Sequence, residues 1–191
     1  MVKDSEGVWS TTKKLAPGTW QYAFAVDGTM IADPENMFIS PGKGFKYSLA
    51  DVPSSYSQDV PRGKVTYRYF YSDALGCYRP MCVYTPAGYD PAGEECLPVL
   101  YLPHGPSDTF ESWFKVGHVN NILDRMIAAG DAARMIVVMP GVDSPDETTA
   151  KVAEFIRENY SISGKSFLAP VQKSWKDARV WLETEVRTLF R

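Results

Sequence analysis

The first fifty residues alternate in character. Across Thr19-Trp20-Gln21-Tyr22-Ala23-Phe24-Ala25-Val26 the side chains follow a period of two, the pattern of a half-buried strand. Gly7-Val8-Trp9-Ser10-Thr11-Thr12 reads as another strand, opened by glycine. Pro17-Gly18 marks a turn, and Asp27-Gly28 is a strong hairpin signal. Asp33-Pro34-Glu35-Asn36 and Pro41-Gly42-Lys43-Gly44 cut the remainder into short segments. The pattern predicts a small β-sandwich over residues 1–52. Only about four or five strands are legible, where an immunoglobulin-type sandwich has about seven.

The pattern changes near residue 60. Residues 53–62, rich in Pro and Ser, read as a linker. Strands are predicted over Val65–Tyr71 and over Tyr78–Tyr84, the second closed by Thr85-Pro86. Leu97-Pro98-Val99-Leu100-Tyr101-Leu102 and Met135-Ile136-Val137-Val138-Met139 are nearly continuous apolar runs, as expected of buried parallel strands. Between them His118 to Ala129 is helical in spacing, with Val119, Ile122, Leu123, Met126 and Ile127 in register and Gly130 at the end. Asp146 to Tyr160 repeats that spacing, Phe167–Val171 reads as a strand, and Trp175 to Phe190 as a final helix with Ala178, Leu182, Val186 and Leu189 on one face. Strands alternating with helices predict a three-layer α/β domain over residues 63–191.

Composition narrows the functional classes. Twenty Lys and Arg against 23 Asp and Glu give a net charge of −3, which leaves no basic field for nucleic acid. With 45% hydrophobic and 23% charged residues, disorder is excluded as the dominant state. No apolar run approaches the roughly 18 residues of a membrane helix. Aromatics reach 13%, which suits either aromatic-packed β structure or flat platforms for sugar rings. Cys77, Cys82 and Cys96 have no metal-ligand spacing and read as free thiols, buried in the ordinary case. Met1-Val2-Lys3-Asp4-Ser5-Glu6 has no apolar core, so no signal peptide is visible.

Three stretches carry a family resemblance. They are Gly63-Lys64-Val65 with Tyr69-Phe70-Tyr71-Ser72, Val83-Tyr84-Thr85-Pro86-Ala87-Gly88-Tyr89-Asp90, and Pro98-Val99-Leu100-Tyr101-Leu102-Pro103-His104-Gly105. The likeness continues through Trp113, Gly117, Asn121-Ile122-Leu123-Asp124, Ile127-Ala128-Ala129-Gly130 and Met135 to Pro140. Together they resemble the family-one carbohydrate esterases, feruloyl and acetyl-xylan esterases of the esterase-D type. Residues 7–50 look like part of the β-sandwich that often precedes them, similar to family-48 carbohydrate-binding modules. The resemblance implies an α/β-hydrolase fold and hydrolysis of feruloyl or acetyl esters on plant polysaccharide, with no metal or cofactor. Members are typically secreted or periplasmic.

Such an enzyme needs a serine raised on a Gly-x-Ser-x-Gly turn, a histidine to take its proton and a carboxylate to orient that histidine. No Gly-x-Ser-x-Gly occurs; Ser161-Ile162-Ser163-Gly164 is the nearest text, lacks the leading glycine and follows a helix. Of the two histidines, His104 sits with Gly105 where the family shapes its oxyanion hole, a role for a backbone N–H. It also suits a histidine that fixes a turn. His118 opens a helix and reads as a surface or capping residue. Lys173-Ser174-Trp175-Lys176-Asp177-Ala178-Arg179, ending in Leu189-Phe190-Arg191, resembles the family's closing stretch and puts Lys173 where the catalytic histidine belongs. A lysine there does not relay a proton without a large fall in its pKa. In Gly141-Val142-Asp143-Ser144-Pro145-Asp146, Asp143 is the better match to the family's acid and Asp146 the second choice; Asp143 or Ser144 equally suits a helix N-cap.

These readings predict a chain excised near Pro140-Gly141, without the nucleophile strand, and catalytically inactive. The alternative is a non-catalytic carbohydrate-binding or remnant protein. Trp9, Trp20 and Tyr22 are the stacking candidates, although alternating aromatics on strands also suit a core. Trp113 fits either packing or the rim of a substrate cleft. Sheet edges left open by the excision would favour self-association.

Overall fold

The computed structural model describes residues 1–42, 44–52, 59–72, 75–105, 107–141, 145–170, 180–182 and 184–190, with backbone alone for 145–150. Its centre is a five-stranded sheet. The strands are β7 (Lys64–Ser72), β8 (Cys77–Thr85), β9 (Leu97–Tyr101), β10 (Ile136–Pro140) and β11 (Ile162–Leu168), in the order β11-β9-β10-β8-β7. β9 runs parallel to both β10 and β11, while β8 is antiparallel to β10 and to β7. All but β8 therefore point the same way.

Alternation along the strands divides the core between the two faces of the sheet. Cys82, Tyr84, Leu100, Leu102, Val137 and Met139 pack against Trp113 of α1 (Ser112–Lys115), against Val119, Ile122, Leu123 and Met126 of α2 (Val119–Ala128), and against Leu182 and Val186. Met81, Val83, Val99, Tyr101, Ile136 and Val138 face the other way, onto Val152 and Ile156 of α3 (Pro145–Asn159). The expected three layers are thus present. β10 is buried on both faces, which explains its unbroken apolar sequence.

Some boundaries differ from the sequence reading. The strand expected at Phe167–Val171 is β11, which begins earlier at Ile162 and ends at Leu168; Val171 lies outside the described residues. It is an edge strand, exposed almost throughout, so burial imposes no alternation on it. Gly164 adopts φ 78° where the register with β9 is irregular, between Ile162 and Ser166. The final helix is described over residues 180–182 and 184–185 only.

The N-terminal strands are β1 (Val2–Lys3), β2 (Trp9–Ser10), β3 (Gly18–Tyr22), β4 (Phe24–Val26), β5 (Thr29–Ile31) and β6 (Ser48–Val52). They pair as three separate two-stranded ladders, so no closed sandwich is present among the described residues. Asp27 and Gly28, at φ 48° and 82°, form the β4–β5 hairpin turn that their sequence predicts. Of the expected linker, residues 53–58 lie outside the described residues. The chain then anchors through Gly63, whose N–H donates to buried Asp124.

Candidate functional site

In an open α/β sheet, ligands bind beyond the carboxyl ends of the parallel strands, where loops replace the ladder. Three adjacent strands end together here. β9 leads into Leu102-Pro103-His104-Gly105, β10 into Gly141, and β11 into Ala169-Pro170. Each of these sequences continues into a stretch singled out above. Asp143 and Lys173 themselves lie outside the described residues.

The turn after β9 is tightly organised. His104 Nδ1 lies 2.8 Å from the Gly105 carbonyl. Because a carbonyl only accepts, Nδ1 carries the proton. The Asp108 N–H donates to the same carbonyl at 3.0 Å. A Cβ on Gly105 would meet Asp108 Oδ2 at 3.3 Å, so the turn closes on a residue without a side chain. Burial holds the Asp108 carboxyl above its usual range, with Ser112 and His104 opposing. Beneath the turn the Trp113 indole N–H donates to the Pro103 carbonyl at 2.9 Å. Trp113 is buried, so its role is packing under the turn rather than a cleft rim.

At the end of β10 Gly141 is held against β8. Its N–H donates to the Pro80 carbonyl at 2.9 Å, and the Arg79 Nε–H donates to the Gly141 carbonyl at 3.0 Å. A Cβ on Gly141 would lie 2.7 Å from the Pro80 carbonyl.

Neither serine of β11 that flanks Gly164 is placed as a nucleophile. Ser163 is the second residue of β11, at its amino end, and its Oγ accepts from the Lys165 N–H at 3.4 Å. Ser166 is paired with Val99 in the ladder, short of the carboxyl edge. Among the described residues, the one hydroxyl touching an imidazole is Thr19 Oγ1, on His118 Nε2. Asp51 Oδ1 lies 3.2 Å from that same nitrogen and accepts from Thr19 Oγ1 at 2.7 Å. A relay needs hydroxyl and carboxylate on opposite ring nitrogens. Both sit on Nε2 here, and the Thr19 proton is already given to Asp51, so the cluster is a contact and not a triad. His118 makes no side-chain capping bond to α2; its ring binds residues far away in sequence, a role its local sequence does not signal.

The remaining candidates are placed as follows. Trp9 and Trp20 are 58% and 40% exposed, so neither is core. The Lys3 ammonium lies 5.9 Å from the centroid of the Trp9 ring, and the Trp20 indole N–H donates to the Ala16 carbonyl at 2.8 Å. Tyr22 is half-buried and donates to Asp33 Oδ2 at 2.6 Å. Cys82 is the buried thiol; Cys77 and Cys96 are exposed, contrary to the expectation of burial. No group of three or more His, Cys, Asp or Glu able to hold a metal occurs among the described residues. A cavity of about 230 Å³ lies at the opposite end of the sheet, between Pro61, Tyr84, Asp124 and Arg134. Glu95 and the Ala87 carbonyl already occupy the Arg134 guanidinium.

Comparison with known proteins agrees with the α/β fold. The family described as "Putative esterase" matches residues 72–165. The chain is 30% identical, over 99% of its length, to an endo-1,4-beta-xylanase/feruloyl esterase of Xylanibacter ruminicola, and spans 29% of that protein. Among solved structures, a ferulic acid esterase superposes with a TM-score of 0.51 at 27% identity, over 56% of this chain and 49% of the other. A ferulic acid esterase of the anaerobic fungus Anaeromyces mucronatus shares the fold, with a TM-score of 0.54 at 23% identity, over 61% of this chain and 53% of the other. The α/β unit thus matches an esterase family over residues 72–165, and its sheet has the fold of feruloyl esterases.

Proposed function

We propose that this chain retains the ester-recognition frame of a feruloyl or acetyl esterase of plant cell-wall polysaccharide and does not turn ester over. One observation carries the reading. The His104-Gly105 turn stands at the carboxyl edge of the sheet, while β11 beside it runs into Ala169-Pro170-Val171-Gln172-Lys173 and offers no Gly-x-Ser-x-Gly. A backbone turn of this kind polarises an ester carbonyl. Without an activated serine and a histidine relay, only the weak background of a partial oxyanion hole remains.

The alignment to the Xylanibacter protein runs over 216 residues, more than the 191 of this chain, which favours a chain shortened internally relative to it. The esterase match continues to residue 165, which favours an excision after α3 over one at Pro140-Gly141. In α/β-hydrolases the acid follows the nucleophile in chain order. That order disfavours Asp143, ahead of α3 in the chain, as the remnant acid and favours the helix-cap reading of its sequence.

Hydrolysis of methyl ferulate and p-nitrophenyl acetate tests the proposal. Buffer-level rates on both esters support it. Turnover of methyl ferulate that is lost in Ser163→Ala would overturn it. A second reading is carbohydrate binding through the N-terminal strands, and the exposure of Trp9 and Trp20 favours it. Retardation in gels containing xylan tests that reading separately.

A further inference from the structure

The segment from His104 to His118 joins β9 to α2, and the N-terminal strands grip it at two places. Near its start, Gly42 is packed against Ser107, so closely that a Cβ on Gly42 would lie 3.1 Å from the Ser107 carbonyl. At its end, His118 Nε2 binds Thr19 Oγ1 and Asp51 Oδ1. Thr19 and Asp51 face each other across the β3–β6 ladder. His118 holds φ 52°, a left-handed conformation that costs a residue with a side chain some strain and persists where surrounding contacts enforce it.

Between these points the segment is braced internally. The Thr109 N–H donates to Ser112 Oγ at 3.0 Å, and Ser112 is fully buried. Glu111 accepts from the Tyr67 hydroxyl at 2.5 Å and pairs with Lys115 at 2.6 Å. Phe110 and Phe114 pack edge-on against the Tyr67 ring. Trp113 ties α1 to the Pro103 carbonyl, one residue before His104. A chain of contacts therefore leads from the β3–β6 ladder through His118 and α1 to the turn.

We infer that the β3–β6 ladder positions the His104-Gly105 turn, with Thr19 and Asp51 as positioning residues that act through His118. The N-terminal strands are then part of the ester-binding frame and not a separate appendage. An ordered ladder and an occupied turn stabilise each other, because each fixes the segment the other needs fixed. The functional meaning of the turn rests on the proposed ester reading; the mechanical coupling does not.

The test uses ¹⁵N–¹H spectra of the full chain. The Trp113 indole resonance is identified by its loss in Trp113→Phe, and the Gly105 amide by backbone assignment. Thr19→Ala combined with Asp51→Ala alters only the ladder side of the contact. Both probes are expected to move by more than a linewidth, and Thr19→Ser alone to leave them in place. Gly42→Ala, at the other grip, is expected to move the Gly105 amide as well. Unmoved Trp113 and Gly105 signals in the double variant and in Gly42→Ala would overturn the inference. Should the double variant lose its dispersed spectrum, Gly42→Ala and His118→Gln decide by the same criterion. Methyl ferulate is titrated separately. If it shifts neither probe in the wild-type chain, the ester reading fails while the coupling is judged on the variants alone.

Discussion

The Tyr84 hydroxyl donates to Asp124 Oδ1 at 2.8 Å inside the core. The same oxygen accepts the Gly63 N–H at 2.9 Å, and the Arg62 guanidinium stands 4.0 Å from Oδ2. One buried carboxylate thus ties the entry of the α/β unit to β8 and α2. Asp124→Ala leaves Tyr84 and Gly63 without their acceptor and is expected to destabilise by about 3 kcal/mol. Asp124→Asn keeps an acceptor and should cost about half as much. Urea unfolding measures both. A loss below roughly 0.5 kcal/mol in the alanine variant would contradict this role.

Gly63 is the steric complement of that contact. A Cβ there would run into the Thr85 carbonyl and come within 2.5 Å of the Tyr84 ring, which Asp124 holds in place. Gly63→Ala should therefore cost about 2 kcal/mol or more through forced repacking. Gly130, at φ 73° with open space around it, provides the comparison. Gly130→Ala should cost only the roughly 1 kcal/mol of left-handed backbone. Thermal melts that rank the two the other way round would refute the steric argument.

Alkaline pH should unfold the protein through its buried thiol. Burial pushes the Cys82 thiol up to about 12, with Glu111 adding and Lys115 opposing. A group whose folded pKa is raised stabilises fully below its unfolded pKa and loses that contribution as pH climbs toward the folded value. The loss therefore falls between about pH 9 and 12, and approaches 4 kcal/mol in the limit. The tyrosines at positions 67, 84 and 101, also raised by burial, act in the same direction above about pH 10. Cys82→Val should flatten the decline between pH 9 and 10, where tyrosine contributes little. An unchanged slope in stability against pH would count against the thiol.

Much of the architecture is legible in the sequence where burial imposes a pattern. β10 announces itself because both of its faces are covered, β8 because its residues 81–84 are buried on both faces, and α2 because one face packs on the sheet. β11 begins five residues before the strand its sequence predicts, because its Ser163-Gly164-Lys165-Ser166 stretch lies exposed at an edge and carries no apolar signal. The site is legible only as far as it is local. His104 and Gly105 lie in one turn, whereas His118 meets Thr19 and Asp51 across separations of 99 and 67 residues, which no local pattern encodes.

Trp9 and Trp20 separate the two functional readings. Both are exposed, and an aromatic face open to solvent can stack on a pyranose ring. If the N-terminal strands bind polysaccharide, Trp9→Ala with Trp20→Ala should abolish retardation in xylan gels while leaving the melting temperature within about 2 °C of wild type. Retention of binding in the double variant would place the contact elsewhere.

The central claim is that the carboxyl edge of this sheet presents an oxyanion turn without an activated serine. Intact-mass spectrometry after incubation with a serine-directed organophosphorus probe tests it most directly, because covalent labelling needs the nucleophile alone and no particular substrate. An unchanged mass is expected. A single stoichiometric adduct, lost when one serine is replaced by alanine, would contradict it.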